Sequence, residues 1–232
     1  MPSDTPGEGV IKKLDNIAAF IDHTLLSADA GEKEITALCS QAQKYGFASV
    51  CVNPYYVPLC KKLLRGTKVK VCTVAGFPLG SDSVRVKVFE INNSVSAGAD
   101  EIDAVINIGA LKSGRFFEVE NEVKALRAAS RGKVLKLIIE TALLTKNEKI
   151  KMCRIAKKFK ADYVKTSTGF AKKGATPQDV RLLKKVLGND VLIKASGGIK
   201  TENDLVCMLK AGASRIGTSA SVAIVAQGKI KL

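Results

Sequence analysis

The chain of 232 residues carries 37 Lys and Arg against 22 Asp and Glu, a net charge of +15, with 46% hydrophobic residues, 5% aromatic residues and no Trp. That length suits one large α/β domain, and the apolar content is ample for its core. No apolar run nears the ~20 residues needed to span a bilayer. Lys and Arg are spread through nearly every predicted helix instead of forming one block, so no nucleic-acid partner and no membrane partner are expected. The excess charge reads as solvated helix faces that also draw in anionic substrates.

In chain order, MPSDTPGEGV has neither a basic nor an apolar signal region, and residues 1–9 read as a flexible lead to a single domain over 10–232. Val10–Phe20 has Ile11, Leu14, Ile17 and Ala18 at helical spacing. Eight β-rich runs follow, at Ile21–Leu25, Ser49–Asn53, Lys70–Ala75, Glu101–Asn107, Val134–Glu140, Asp162–Ser167, Val191–Ser196 and Arg215–Ser219. Between them lie amphipathic stretches such as Glu32–Lys44, Ser83–Ala97, Phe116–Ser130 and Lys146–Lys158. Thr145 with Glu148 has the form of a capping box, Thr176 precedes Pro177, and Thr201 pairs with Asp204. Gly46, Gly98, Gly188 and Gly212 stand where helices should end. The six cysteines make no CxxC pair and lie singly in apolar surroundings, which suits a reducing cytoplasm.

Eight βα units with short loops predict a (β/α)8 TIM barrel with an extra N-terminal helix. A doubly wound sheet is the alternative, though it seldom shows eight regular repeats. No GxGxxG follows the first strand and no Walker A sequence occurs, so dinucleotide and P-loop readings have no support.

In a barrel, alternate strand residues point inward and sites form at the C-terminal ends of the strands. Consecutive strands then carry Asp103, Lys136, Lys165 and Lys194, each flanked by apolar residues. Three lysines and a carboxylate converging inside a barrel would be costly for a purely structural core. A lysine whose pKa is lowered by desolvation or a neighbouring cation is a free, nucleophilic amine at neutral pH that condenses with carbonyls, and the resulting iminium is an electron sink. Lys165 with Lys194 fits that logic, and Asp103 can shuttle a proton directly or through water. A buried salt-bridge network filling the barrel remains the other reading of the same four residues. Ser196-Gly197-Gly198 and Gly217-Thr218-Ser219 lie where barrels bind phosphate, and Gly169 adds a third face to that cradle. Asp22 reads equally as an active-site carboxylate or a cap, and Cys51 as a core thiol. His23 is the sole histidine, so His triads and multi-His metal sites are excluded, and no cluster has metal-ligand spacing.

These segments resemble the deoxyribose-phosphate aldolases. The matching stretches are IDHTLL, VCVNP, VCTVAGFPLG, ADEIDAVINIGALKSG, LKLIIETALL, ADYVKTSTGF, IKASGGI and RIGTSA, in order at all eight strands. The resemblance implies a barrel enzyme, without cofactor or metal, that reversibly splits 2-deoxy-D-ribose 5-phosphate into D-glyceraldehyde 3-phosphate and acetaldehyde. It implies that Lys165 forms the Schiff base, that Lys194 tunes it and moves protons, and that Asp103 relays them. Lys136 and Asp22 match supporting positions, and Thr168, Gly169, Gly197, Gly198 and Ser219 match substrate- or phosphate-binding positions. A homodimer or homotetramer is expected on the same grounds. Phe170 and Ala220 depart from the basic residue and serine that many relatives carry, with Ser221 or Lys172 as candidates to compensate. The last residues, including Lys229 and Lys231, contain no counterpart of the tail tyrosine of some relatives. A transaldolase-like lysine enzyme and a catalytically dead basic barrel are the alternatives to this reading.

Overall fold

The computed structural model describes residues 14–226. The lead 1–9, the first turn of the predicted N-terminal helix and the tail with Lys229 and Lys231 lie outside the described residues.

Eight parallel strands form a closed barrel in sequence order: β1 (Ile21–Leu25), β2 (Ser49–Val52), β3 (Lys70–Ala75), β4 (Glu101–Val105), β5 (Val134–Ile138), β6 (Tyr163–Lys165), β7 (Leu192–Ser196) and β8 (Arg215–Thr218). Closure is explicit in the pairing of Asp22 with Gly217 across β1 and β8, which rules out the open doubly wound sheet. Outward residues such as Ile102, Ala104, Leu135, Leu137, Val164, Ile193 and Ile216 are fully or almost fully buried against the helices and make one continuous core. Side chains of opposite parity fill the barrel interior.

Several predicted strands end early, each for a visible reason. On β4, Asn107 leaves the ladder to cap the short helix Ile108–Lys112, its Oδ1 accepting from Ala110 N at 2.9 Å. After β5, Glu140 adopts a left-handed conformation (φ 50°) that ends the extended run. Beyond Lys165, Thr166 still donates its N–H to Lys194 O at 3.0 Å. Its hydroxyl, however, accepts from Ser196 N at 3.1 Å, so side chains replace the ladder. The N-terminal element is a 3₁₀ helix, Leu14–Phe20, which runs into β1 without a turn, a connector role typical of that helix type.

The helix starts follow the capping chemistry. Thr145 Oγ1 accepts from Glu148 N while Glu148 Oε2 takes Thr145 N at 2.7 Å, and Thr201 with Asp204 repeats the arrangement. Helix Val57–Leu63, absent from the sequence reading, starts with Pro58 in its first turn and buries only Val57 and Cys60. Its seven residues are too few for a clear amphipathic signal.

Candidate active site

The register explains why four inward side chains meet. Asp103 stands opposite Lys136 across β4 and β5, and Lys165 opposite Lys194 across β6 and β7. Between β5 and β6, however, Lys136 faces Tyr163, and it is Ile138 that faces Lys165. Lys165 therefore sits one layer nearer the C-terminal mouth than Lys136.

Asp103 is the hub. Its Oδ2 accepts from Lys165 Nζ at 2.8 Å and from Lys194 Nζ at 2.7 Å, and its Oδ1 accepts from Lys136 Nζ at 2.7 Å. Lys194 also pairs with Asp22 Oδ2. Lys136 reaches Glu101 Oε2 at 2.6 Å, with Asp22 Oδ2 farther away at 3.8 Å. Below them Arg215 Nη1 donates to Asp22 Oδ1 at 2.6 Å and lies 3.2 Å from Glu101 Oε2. Ser49 Oγ donates to Asp22 Oδ1 at 2.7 Å. All five residues predicted for catalysis and its support, Asp22, Asp103, Lys136, Lys165 and Lys194, are thus brought together. Glu101 and Arg215 belong to the same network, although nothing local in the sequence marked them.

Three carboxylates face four cationic side chains here. Burial alone would raise the carboxyl groups of Asp22 and Asp103. Lys194, Lys136 and Arg215 around Asp22, and the three lysines around Asp103, hold both well below the usual carboxylate range. Burial likewise disfavours charge on Lys136 and Lys194, but Asp103 and Asp22 outweigh it and push both ammonium groups above their ordinary value. Lys136 and Lys194 are sealed from solvent at 0% exposure, whereas Lys165 reaches the floor of the mouth cavity at 2%.

That cavity, about 380 Å³, is lined by Thr168, Gly169, Gly197, Gly198, Ser219 and Lys200 around Lys165. All five predicted binding positions line it. Among the described residues no protein acceptor meets the N–H groups of Gly169, Gly197, Gly198 or Ser219. Gly169, Gly197 and Gly198 all have positive φ, between 78° and 89°, which glycine adopts at no steric cost. Gly174 seats the β6 loop on this cradle, because a Cβ there would stand 2.0 Å from Gly197 O. Thr168 is held by Glu140, whose Oε2 accepts from its N–H at 3.0 Å and its hydroxyl at 2.6 Å. Ser221, a candidate to compensate for Ala220, is fully buried and spends its hydroxyl on Thr218 O. Lys200, unmarked in the sequence reading, is a cation on the cavity wall. Gly217 does not belong to the cradle alone: a Cβ there would stand 2.9 Å from Lys194 Cε, so this glycine makes room for the lysine.

Against the charged half, Leu26, Cys51, Cys72, Val74 and Phe77 form an apolar cluster inside the barrel, with Cys72 Sγ 3.2 Å from both Asp103 Oδ1 and Lys136 Nζ. The Phe77 ring lies 6.0 Å from Lys165 Nζ and meets Phe170 edge-on at 5.3 Å. Phe170 thus extends the apolar wall to the rim. Cys51, Cys72 and Asp103 bring potential metal ligands within 4.8 Å of one another, as do Asp22, Cys72 and Glu101. Such a metal would sit against the ammonium groups that already occupy these carboxylates, and burial keeps the Cys72 thiol protonated, so the donor set does not fit one. His23 lies on the outward face, its Nε2 bonded to Gln41 Oε1 at 2.8 Å.

The family model for DeoC/LacD family aldolases matches residues 17–229. The chain belongs to this family. It is 53% identical to a deoxyribose-phosphate aldolase of Geobacillus sp. (strain WCH70), with 93% of this chain and 96% of that protein aligned. It is 51% identical to one from Clostridium perfringens (strain SM101 / Type A), over 92% and 96% of the two chains. Among solved structures, the tetrameric deoxyribose phosphate aldolase of Aeropyrum pernix superposes with a TM-score of 0.85 at 34% identity, covering 96% of this chain and 97% of that one. No helix among the described residues is long and apolar enough to cross a membrane.

Proposed function

We propose that the chain is a class I aldolase, a deoxyribose-phosphate aldolase that reversibly cleaves 2-deoxy-D-ribose 5-phosphate into D-glyceraldehyde 3-phosphate and acetaldehyde. The observation that carries the mechanism is the pair of lysines, Lys165 and Lys194, on one oxygen of Asp103 at the floor of an open cavity. Lys165, the lysine the cavity reaches, attacks the C1 aldehyde of the open-chain sugar as the free amine. Loss of water gives the iminium. Removal of the C3 hydroxyl proton then drives cleavage of the C2–C3 bond, whose electron pair flows into the iminium as an enamine. Protonation of the enamine carbon and hydrolysis release acetaldehyde and return Lys165.

Each neighbouring group has a role in this scheme. Lys194, held cationic by Asp103 and Asp22, stands beside Lys165 on the shared Asp103 oxygen and hands protons to and from it. Asp103 accepts and returns protons on the substrate side, directly or through a water. Lys136 and Asp22 fix the orientation of Asp103 and Lys194. The phosphate lies on the N–H groups of Gly169, Gly197, Gly198 and Ser219, beside Thr168, with Lys200 supplying the cation that Phe170 does not. The two-carbon fragment rests against Phe77, Val74 and Cys51. Six cysteines free of disulfides support a cytoplasmic location, and the tetrameric relative supports a homodimer or homotetramer, which light scattering of the purified chain will test.

Borohydride reduction with acetaldehyde tests the mechanism. A two-carbon adduct on Lys165 in peptide maps, absent from folded Lys165→Ala, is expected. Folded wild type that yields no adduct at Lys165 refutes the Schiff-base assignment.

A further inference from the structure

The N-terminal face of the barrel, opposite the site above, carries a feature that the aldol reaction does not use. Three cavities of about 460, 740 and 690 Å³ lie there side by side. The first two share Lys70 and Asp100, and the second and third share Val134 and Asp162, so they form one continuous trough. It runs across the connections that lead into β3, β5 and β6.

Every carboxylate in the trough is already paired. Asp100 holds Lys61 at 2.8 Å, Asp162 holds Arg127 at 2.7 Å and Asp190 holds Lys157 at 2.7 Å. Glu101, at its floor, is bound to Lys136 and Arg215. Arg65, Lys70, Arg131, Lys133 and Lys160 also line it, and among the described residues none of these five forms an ion pair. Cations in the last turn of a helix are accounted for by the helix dipole, whose effect falls off beyond that turn. Arg65, Arg131 and Lys160 stand two residues past helix ends, where the dipole accounts for part of their placement, whereas Lys133 and Lys70, the first residue of β3, lie farther along the connections. The lining offers little apolar anchor for a protein partner, Leu192 at 41% exposure being the main one, whereas protein interfaces centre on buried aromatic or aliphatic anchors. A row of unpaired Lys and Arg along a groove, without stacking aromatics, matches the sequence-independent recognition of a phosphate backbone.

We propose that this trough binds the phosphodiester backbone of nucleic acid, without base specificity and apart from the aldolase site. The test is fluorescence anisotropy of a labelled oligodeoxythymidine of about 20 nucleotides with the full chain. About four phosphates neutralised give a log–log salt slope near −3, hence roughly 50-fold weaker binding at 200 mM than at 50 mM salt. The double variant Arg131→Glu/Lys133→Glu should bind at least about tenfold more weakly at low salt while its kcat for aldol cleavage stays unchanged. Lys33→Glu/Arg85→Glu, the same change of charge near the helix starts at the other end of the barrel, should leave oligonucleotide binding intact. Absence of binding at low salt overturns the proposal. So does equal weakening by both double variants, which would mean diffuse attraction to the net charge. Polyglutamate that binds as tightly at equal charge concentration also overturns it, in favour of an acidic polypeptide.

Discussion

Replacing Gly217 by Ala is the most demanding test of the site's geometry. Gly217 lies on β8 outside the left-handed region, so alanine brings no conformational strain of its own. Its new methyl would stand 2.9 Å from Lys194 Cε and 3.1 Å from Ser196 Cβ. Carbon atoms in comfortable contact are about 3.5–4.0 Å apart, so Lys194 must retreat by roughly 0.6–1 Å. That retreat lengthens contacts to Asp103 and Asp22 that now sit at hydrogen-bond distance. Overpacking of this kind costs about 1–3 kcal/mol, or roughly 2–12 °C in Tm for a chain of this size. The larger effect is on rate, because a misplacement of about 1 Å in a catalytic constellation can cost about 100-fold. Glyceraldehyde 3-phosphate release, followed by a coupled NADH assay at a temperature where the variant is folded, should show kcat reduced about 100-fold and KM little changed. A variant with lowered Tm and unaltered kcat would refute the view that Lys194 must hold its place beside Lys165.

Three further outcomes follow from the structure. Gly174→Ala drives a methyl into Gly197 O, backbone against backbone, so the phosphate cradle should open and KM rise about tenfold or more, equivalent to roughly 1.4 kcal/mol; steady-state kinetics with an unchanged KM would refute the cradle. Lys87 and Glu122 form a fully buried pair at 2.6 Å that also ties Gly80 O, Val105 O and Asn107 N. Lys87→Met should therefore cost about 3–5 kcal/mol, or roughly 6–20 °C in Tm, while borohydride trapping at low temperature persists; a Tm within about 2 °C of wild type counts against it. Asp22 and Asp103 titrate below the ordinary aspartate value of 3.8 when folded, so the unfolded chain takes up their protons first as pH falls. Their contribution to stability is complete above pH 3.8 and is lost below it, whereas that of Lys136 and Lys194, raised above 10.5, is complete below pH 10.5 and lost above it. Denaturant melts should show the acid-side loss in wild type and less of it in Asp103→Asn; equal slopes would refute the assignment.

The barrel was legible in the sequence because its signals are local. Alternating strands, polar helix starts at Thr145, Thr176 and Thr201, and glycines at helix ends each depend on residues a few positions apart, and backbone sterics and hydrogen bonding enforce them there. Inward parity followed from the same period of two, which is why Asp103, Lys136, Lys165 and Lys194 were recognised together. Only the tertiary structure decided which lysine the cavity reaches, because the register step between β5 and β6 sets Lys136 a layer below Lys165 and packing inside the barrel seals Lys194 beside it. It alone joined Arg215 to Asp22, 193 residues apart, and set Gly217 against Lys194. It also turned basic residues scattered over three connections into one trough, since a charge pattern of that kind exists only once barrel closure brings the connections to one face.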